Sequence, residues 1–294
     1  MSRQRLGWWL AGGCVLGSAC AHGSPPPRAA GRLGDAPKTA EASGSSEPLR
    51  PLRILALGDS ITQGRAMKSA DMPATQSWRY PFWKELLTTG VAFDMVGGLA
   101  HGFEGDPAWP SVEGVAFDRE HEARWGFRLD EMTEILRKDI ERLQSEHFSF
   151  DVVMVLLGGN DLDQKETLSE LWPEWDALFA LLRARNPQVK VAVGVYCHDF
   201  GGSAEYRAEL TRRAPSWSTA ESTVVIANGC ENWVADPRAP GTDTVDWIHP
   251  NAQGDQKIAR GFLQSLRALR PDSFAPSQGT PASLATSAPV TLTK

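Results

Sequence analysis

The sequence predicts an α/β protein in which a central parallel sheet is covered by helices on both faces. One observation is the run DVVMVLLGGND, which begins at Asp151, is apolar on both faces and has β-branched residues early. That pattern is typical of a central parallel strand. A second observation is that strand-like runs alternate with helical ones. A third is that small and polar residues follow several of these runs, where a parallel sheet places its ligand site.

Local patterns predict the first elements in order. RILALGDS, which ends at Ser60, is a short apolar run that stops at a Gly-Asp-Ser turn and predicts a buried strand. WRYPFWKELLTTG predicts a helix that Gly90 stops, and VAFDMVGG predicts a second strand. From Asp130 to about Ser145 the apolar residues form one helical stripe, and Asp130 is expected to cap its start.

The remaining elements lie on the far side of the central run. Residues 168–185 predict a helix, and VKVAVGVY predicts a further strand. A long irregular stretch is then expected before the strand STVVIAN. A closing helix is expected from Ala252 to Leu269, and Asn251 has the side chain of a good N-cap.

Composition predicts one folded domain between a flexible linker and a disordered tail. The chain of 294 residues is 41% hydrophobic and 22% charged, which is ordinary for one α/β domain with a sizeable core, here at 52–272. Residues 21–51 and 273–294 are rich in Pro, Gly, Ala and Ser, and predict a flexible linker and a disordered tail. The formal charge of −6 offers no basic patch, so nucleic acid is not an expected partner.

The first 20 residues predict an export signal. Arg3 and Arg5 precede a short apolar run, and small residues then lead to Cys20; the run is too short to span a bilayer. The segment resembles a bacterial lipoprotein signal, in which that cysteine is lipidated. A signal that ends at Cys14 and ordinary cleavage after residue 21 stay open as alternatives. We therefore expect an exported protein, either a cell-envelope lipoprotein or a secreted or periplasmic one, with any membrane attachment through a lipid on Cys20.

Two cysteines remain in the domain, Cys197 and Cys230. In an exported chain they could form a disulfide, and two separate buried thiols are the alternative. Neither has the spacing of a metal ligand.

Four polar residues, from three segments of the chain, are expected at one edge of the sheet. Ser60 follows the first strand, where a strand-to-helix turn exposes a hydroxyl. A serine needs a base to become nucleophilic, and His249 could supply it while Asp246 orients the imidazole. Pro250 keeps His249 out of the helical conformation, so the acid and the base should lie in a loop. Asn160, after the central strand, has amide donors suited to an oxyanion.

Each of these features alone is weak, because Gly-Asp-Ser and Asn-Asp are common turn sequences. Together, LALGDSITQG, DVVMVLLGGND and DWIHPNAQGDQKIA strongly resemble the sequence blocks of the SGNH, or GDSL-type, hydrolases. The resemblance extends from Arg53 to about Leu269. It implies a flavodoxin-like three-layer α/β/α sandwich and an esterase or lipase activity. It also implies Ser60 as nucleophile, Asn160 as an oxyanion donor, His249 as base and, three residues before it, Asp246 as acid.

The family also has an oxyanion glycine, for which two segments compete. DMVGG resembles an earlier family segment, whereas DREHEARWGFRLDEM resembles the acetylxylan-esterase-like branch of carbohydrate esterases and places Gly126 at the oxyanion hole with the N–H of Ser60. We therefore choose Gly126. The chain departs from the branch at Ala123 and Arg124, and Gly159 stands where many relatives have threonine.

The expected function is a serine esterase that hydrolyses O-acyl esters, most simply O-acetyl, on carbohydrate through an acyl-enzyme. Trp125 and Trp247 adjoin the proposed site and could bind sugar rings, although packing of loops against the core explains them equally well. The alternatives are a lysophospholipase or thioesterase and a non-catalytic glycan-binding domain. The expected partner is an acylated small molecule or polysaccharide, and the chemistry requires no cofactor and no metal.

Overall fold

The structure is a computed structural model that describes most of the domain. The described residues are 50–67, 73–142, 149–164, 166–198 and 201–274. The predicted signal with Cys20, nearly all of the predicted linker, and the tail after residue 274 lie outside them. Among the described residues, no helix combines the length and the apolar character needed to cross a membrane.

A parallel sheet of six strands forms the centre of the domain. Its order is β2-β1-β4-β5-β6, and the short β3 pairs with the end of β1. The central position expected for the DVVMVLLGGND strand is confirmed, because β4 pairs with β1 on one side and β5 on the other. The strands are β1 (Leu52–Gly58), β2 (Phe93–Val96), β3 (Glu122–Ala123), β4 (Val152–Leu156), β5 (Lys190–Gly194) and β6 (Val224–Ala227).

Helices cover the sheet, which confirms the expected α/β class. Helix α2 packs against α7, while α3 and α6 pack against α5. The helices are α1 (Ser60–Gln63), α2 (Arg79–Leu87), α3 (Leu129–Arg142), α4 (Gly159–Asp163), α5 (Leu168–Arg185), α6 (Ser203–Trp217) and α7 (Ala252–Leu269), followed by a 3₁₀ turn at Pro271–Phe274.

The register of the two central strands aligns the candidate site. Ile54 of β1 lies opposite Val152 of β4, and Gly58 lies opposite Leu156, so both strands end at the same level. Every residue of β4 is buried, and each large aliphatic side chain buried in this way contributes about 1.5–3 kcal/mol to stability. The core therefore fixes the two turns that follow these strands, and these turns carry Ser60 and Asn160.

The irregular stretch predicted after β5 was wrong. Helix α6 occupies Ser203–Trp217. Its buried residues recur every three or four positions, as on one face of a helix: they are Ser203, Tyr206, Leu210, Ala214 and Trp217. Only three of them are large and apolar, and charged side chains fill the positions between them, so the pattern was overlooked.

The predicted cap of α3 was also wrong. The helix begins at Leu129, and the backbone N–H of Leu129 donates to Asp161 Oδ1 at 2.9 Å. Asp130 lies inside the first turn, where its Oδ1 accepts from the N–H of Glu131. The cap thus comes from another element, which no local pattern could indicate. The predicted N-cap of α7 is confirmed, since Asn251 accepts from the N–H groups of Gln253 and Gly254.

Candidate active site

The residues expected to form the site meet at the carboxyl ends of the strands. Ser60 begins α1 directly after β1, and Asn160 lies in the first turn of α4 after β4. Asp246 and His249 lie in the loop before α7, at the same edge of the sheet, since His249 reaches Ser60. The fold therefore brings together groups that are 189 positions apart in the chain.

Ser60, His249 and Asp246 form one chain of hydrogen bonds. The distance from Ser60 Oγ to His249 Nε2 is 3.0 Å, and His249 Nδ1 lies 3.0 and 2.9 Å from the two carboxylate oxygens of Asp246. A neutral imidazole with its proton on Nδ1 satisfies both contacts, because Nδ1 then donates to the carboxylate and Nε2 accepts from the hydroxyl. This geometry can move a proton from Ser60 to His249.

The carboxylate of Asp246 is stabilised in its ionised form. Partial burial acts to raise its pKa, but the hydrogen bond and charge of His249 and the backbone N–H groups of His249 and Ile248 outweigh this and lower the pKa to about 2. Those two N–H groups donate to Oδ1 at 2.8 and 3.3 Å. Asp246 is therefore negatively charged at neutral pH, as a partner for an imidazolium must be.

Backbone hydrogen bonds hold the two ends of the loop that carries Asp246 and His249. The N–H of Val245 donates to the carbonyl of His249 at 2.8 Å, and the N–H of Asn251 donates to Asp243 O at 2.9 Å. Asp243 is buried and forms an ion pair with Lys257 of α7 at 2.8 Å. The expectation that Pro250 leaves His249 in a loop is confirmed, because α7 begins at Ala252.

Trp125 lies against the imidazole. Its ring stacks on His249 with a centroid distance of 4.6 Å and an interplanar angle of 20°. Arg65 lies over the same indole at 4.9 Å, and its Nη2 is 3.7 Å from Asp246 Oδ2. The structure thus gives Trp125 a packing contact that restricts the rotation of His249, while its contact with substrate stays a prediction. Arg65 was missed, because nothing in the sequence relates it to either partner.

Trp247 is the more accessible of the two tryptophans. Its side chain is 49% exposed, and its φ of +74° is unusual for a non-glycine residue. Arg238 lies over its ring at 5.0 Å. With the neighbouring Ile248, also exposed, it forms an apolar surface beside His249. The prediction that Trp247 contacts substrate remains compatible with this position.

Gly126 lies in a turn that is hydrogen-bonded to α1, the helix that begins at Ser60. Its φ is +77°, which favours glycine, and nothing within 4 Å surrounds the place of a Cβ. The N–H of the preceding Trp125 donates to Gln63 Oε1 of α1 at 2.7 Å. Within the described residues, the backbone N–H groups of Ser60 and Gly126 have no acceptor. Both are therefore available for the oxyanion-hole role that is predicted for them.

Asn160 is hydrogen-bonded to the turn that carries Gly126. Its Nδ2 donates to the carbonyl of Phe127 at 2.8 Å, and lies 3.4 Å from Asp59 Oδ2. The two residues that depart from the family pattern serve structural roles: Ala123 belongs to β3, and Arg124 forms an ion pair with Asp139 at 3.2 Å. The turn that carries Gly126 thus lies between the sheet and α4.

Asp59 and Tyr196 form a buried pair behind Ser60 that the sequence analysis missed. Asp59 Oδ1 accepts from the N–H of Ile61 at 3.0 Å and caps α1, and the hydroxyl of Tyr196 donates to Asp59 Oδ2. Burial raises the pKa of Asp59 to about 6, against the effect of the Tyr196 hydrogen bond. The Gly-Asp-Ser motif was the available signal for Asp59, but none linked it to Tyr196.

Three carboxylates cluster on the far side of α4. The carboxylate oxygens of Asp161, Glu166 and Glu174 lie within 4.8 Å of one another. Burial, with repulsion among these acids, raises the pKa of Asp161 and of Glu174 to about 7. Arg128 Nε lies 3.0 Å from Glu166 and supplies one compensating positive charge.

Cys197 and Cys230 are joined by a disulfide, with Cα atoms 4.9 Å apart. Of the two possibilities that the sequence left open, the structure has the disulfide. It connects the segment after β5 with the segment after β6. The site therefore has a covalent link one residue beyond Tyr196.

The α/β/α architecture and the serine, histidine and aspartate at its strand ends define the class of SGNH-type ester hydrolases. The chain belongs to the GDSL-like lipase/acylhydrolase family, whose model matches residues 56–257. It is therefore an ester-hydrolysing enzyme, as the resemblance in the sequence implied.

Solved structures similar to this chain include carbohydrate esterases. A family 3 carbohydrate esterase from Talaromyces cellulolyticus is 25% identical, with a TM-score of 0.57, and the match covers 75% of this chain and 99% of that one. An acetyl esterase mutant with one serine replaced by alanine, whose structure contains an acetate ion, is 24% identical, with a TM-score of 0.57 and coverage of 75% of this chain and 99% of that one. The family 3 carbohydrate esterase of Clostridium thermocellum is 21% identical, with a TM-score of 0.57 and coverage of 76% and 100%. Among curated proteins, none matches this sequence.

Proposed function

We propose that this enzyme removes short acyl groups, most simply acetyl, from carbohydrate, with Ser60 as its nucleophile. The observation that carries the proposal is the hydrogen-bonded chain from Ser60 through His249 to Asp246. The 25% identical carbohydrate esterase with the same fold supports a carbohydrate substrate. Exposed Trp247 beside His249 offers a surface on which a sugar ring can stack.

The proposed reaction has two steps. His249 Nε2 takes the proton of Ser60 as Oγ attacks the ester carbonyl, and the N–H groups of Ser60 and Gly126 with Asn160 Nδ2 hold the oxyanion. The bond from the carbonyl carbon to the sugar oxygen then breaks, and that oxygen receives the proton from His249. Water, deprotonated by His249, attacks the acyl-enzyme and releases the carboxylic acid and Ser60. Asp246 holds the imidazole and stabilises its positive charge throughout.

The size of the acyl group is tested with p-nitrophenyl esters from acetate to octanoate. We expect the highest kcat/KM for acetate, and a steady decline with chain length. A maximum at octanoate would contradict the proposal and favour a lipid acyl hydrolase. Release of acetate from acetylated xylan and other acetylated glycans, measured beside Ser60→Ala as the inactive control, tests the carbohydrate part.

We also propose that the protein is exported, and that Cys20 carries a lipid. The sequence before Cys20 supports this, and so does the disulfide, because such bonds persist in oxidising compartments. Labelled palmitate should enter the wild type and be absent from Cys20→Ala. Equal labelling of both proteins, or no labelling of the wild type, would contradict the lipid anchor.

A further inference from the structure

A small cavity opens beside the proposed nucleophile. Its volume is about 70 Å³, which a small acyl group can occupy. The residues around the cavity that matter here are Ser60, Ile61, Gly159, Asn160, Tyr196 and Ile248.

The ring of Tyr196 occupies its position only because residue 159 is glycine. A Cβ on Gly159 would lie 2.6 Å from both Cε1 and Cζ of Tyr196, closer than atoms of two side chains pack. Tyr196 is 3% exposed, and its carbonyl accepts from Arg207 Nη1 at 2.8 Å. The ring is therefore held firmly between the end of β5 and the start of α4.

The hydroxyl of Tyr196 connects this ring to the nucleophile turn. It donates to Asp59 Oδ2, while Asp59 Oδ1 caps α1 through the N–H of Ile61. Asp59 directly precedes Ser60, and Asn160 Nδ2 also approaches its Oδ2, at 3.4 Å. One side chain thus limits the cavity with its ring and supports the turn of Ser60 with its hydroxyl.

We propose that Tyr196 determines acyl specificity: its ring, admitted by Gly159, closes the inner end of the acyl cavity and restricts the enzyme to short acyl groups, while its hydroxyl positions Asp59. This inference rests on the proposed function, since it takes Ser60 as the nucleophile. Tyr196 is a positioning and specificity-determining residue, whereas the bond-making groups remain Ser60 and His249. The two parts of its side chain should therefore affect different kinetic constants.

The experiment compares two substitutions over the same p-nitrophenyl ester series. Tyr196→Leu shortens the wall, so kcat/KM for butyrate relative to acetate should rise by about tenfold or more, the selectivity that an apolar pocket gives for methylene groups. Tyr196→Phe keeps the wall and removes the bond to Asp59. It should preserve the butyrate-to-acetate ratio while kcat on acetate falls by about tenfold with little change in KM.

Tyr206→Phe is a matched control. Tyr206 is also fully buried and lies against a glycine, since a Cβ on Gly158 would be 2.0 Å from its hydroxyl. Its hydroxyl donates to Leu157 O at 2.9 Å and has no part in the cavity wall. This variant should keep both the ester ratio and kcat on acetate. The same change of ratio in Tyr206→Phe would overturn the proposal, because it would indicate general loosening.

An unchanged ester ratio in folded Tyr196→Leu, judged by circular dichroism, would overturn the inference and leave the proposed function intact. If that variant does not fold, Tyr196→Met serves in its place with the same expectation, because its flexible side chain can yield to a longer acyl group. A different result would contradict the proposed function itself: retained ester hydrolysis by Ser60→Ala.

Discussion

The proposed nucleophile, Ser60, and the proposed acid–base pair, Asp246 and His249, are held in place by different means. Ser60 follows a strand that is buried in the middle of the sheet, and its neighbour Asp59 is buried as well. Asp246 and His249 lie in a surface loop, where Trp247 and Ile248 are 49% and 45% exposed. The position of Ser60 is thus a consequence of the whole fold, whereas the position of His249 depends on a few local hydrogen bonds and on the stacking of Trp125.

This difference separates stability from activity. The hydrogen bonds that orient Asp246 are made within its own loop, and a longer ion pair of 3.7 Å links it to Arg65. Loss of these hydrogen bonds should therefore damage the chemistry and leave the core unchanged. Near Ser60, the groups behind the nucleophile belong to the core and its network. Substitutions on the two sides should therefore differ in the ratio of lost activity to lost stability, and the following predictions test that contrast.

The largest effect is expected for Ser60→Ala. The substitution removes the attacking oxygen, and kcat/KM on p-nitrophenyl acetate should fall by about 10⁴–10⁶-fold. The free energy of unfolding in urea should change by no more than ~0.5 kcal/mol, because only one hydroxyl is lost. Ser216→Ala, at an exposed serine of α6, is the control that should keep full activity. Residual activity of Ser60→Ala above a tenth of the wild type would remove Ser60 from its role.

Asp246→Asn should cost about 10³–10⁴-fold in kcat, because an amide cannot stabilise the imidazolium and favours the wrong tautomer. Its stability should stay close to that of the wild type, since the change is confined to the loop. Asp236→Asn removes an exposed carboxylate that pairs with Arg238, and should leave kcat unchanged. Equal losses in both variants would show that charge near the surface, not contact with His249, explains the effect.

Asn160→Ala should lower kcat by about 10²–10³-fold with a small effect on KM, the cost of one oxyanion donor. Asn186→Ala is a matched control, because both asparagines donate through Nδ2 to a phenylalanine carbonyl at 2.8 Å. Asn186 lies at the opposite end of the sheet, so its variant should lose stability without loss of kcat. A rise in KM at constant kcat for Asn160→Ala would contradict the oxyanion role.

The smallest effect concerns Asp161, whose titration should make the free energy of unfolding depend on pH. Burial raises the pKa of Asp161 from near 3.8 to about 7, so between these values the folded protein holds a proton that the unfolded chain has lost. The free energy of unfolding should therefore fall as the pH rises from about 4 to about 7, and level off above that.

Asp161→Asn keeps an oxygen for the N–H of Leu129 and removes this titration. Between about pH 5 and 8, urea unfolding should show a decline in stability that is smaller in the variant by about 2 kcal/mol. Asp163→Asn, at the other end of α4 and on the surface, should retain the decline of the wild type. Parallel curves for wild type and Asp161→Asn would refute the expectation.

The features that were predicted correctly are set by local sequence patterns or by the order of strands and helices. Apolar runs identified the major strands, and their alternation with helices placed Ser60 and His249 at one edge. Asn251 was identified as a cap because its contacts lie within three residues. Helix α6 was missed although its buried residues recur every three or four positions, because only Tyr206, Leu210 and Trp217 among them are large and apolar.

The missed features of the site depend on pairs that no local pattern connects. Tyr196 bonds to Asp59 across 137 positions, and its relation to Gly159 is one of shape. Arg65 contacts Trp125 and Asp246 only after three segments have converged. Side chains of this kind are placed by packing, and one sequence does not reveal packing partners.

The bond between Cys197 and Cys230 has a practical consequence for anyone who prepares this enzyme. A bacterial cytosol keeps thiols reduced, so a chain expressed there would not readily form this disulfide. The link lies next to Tyr196, on the segment that borders the acyl cavity. The host strain and the reductant in the purification buffer thereby become variables of any kinetic measurement, to be fixed before preparations are compared.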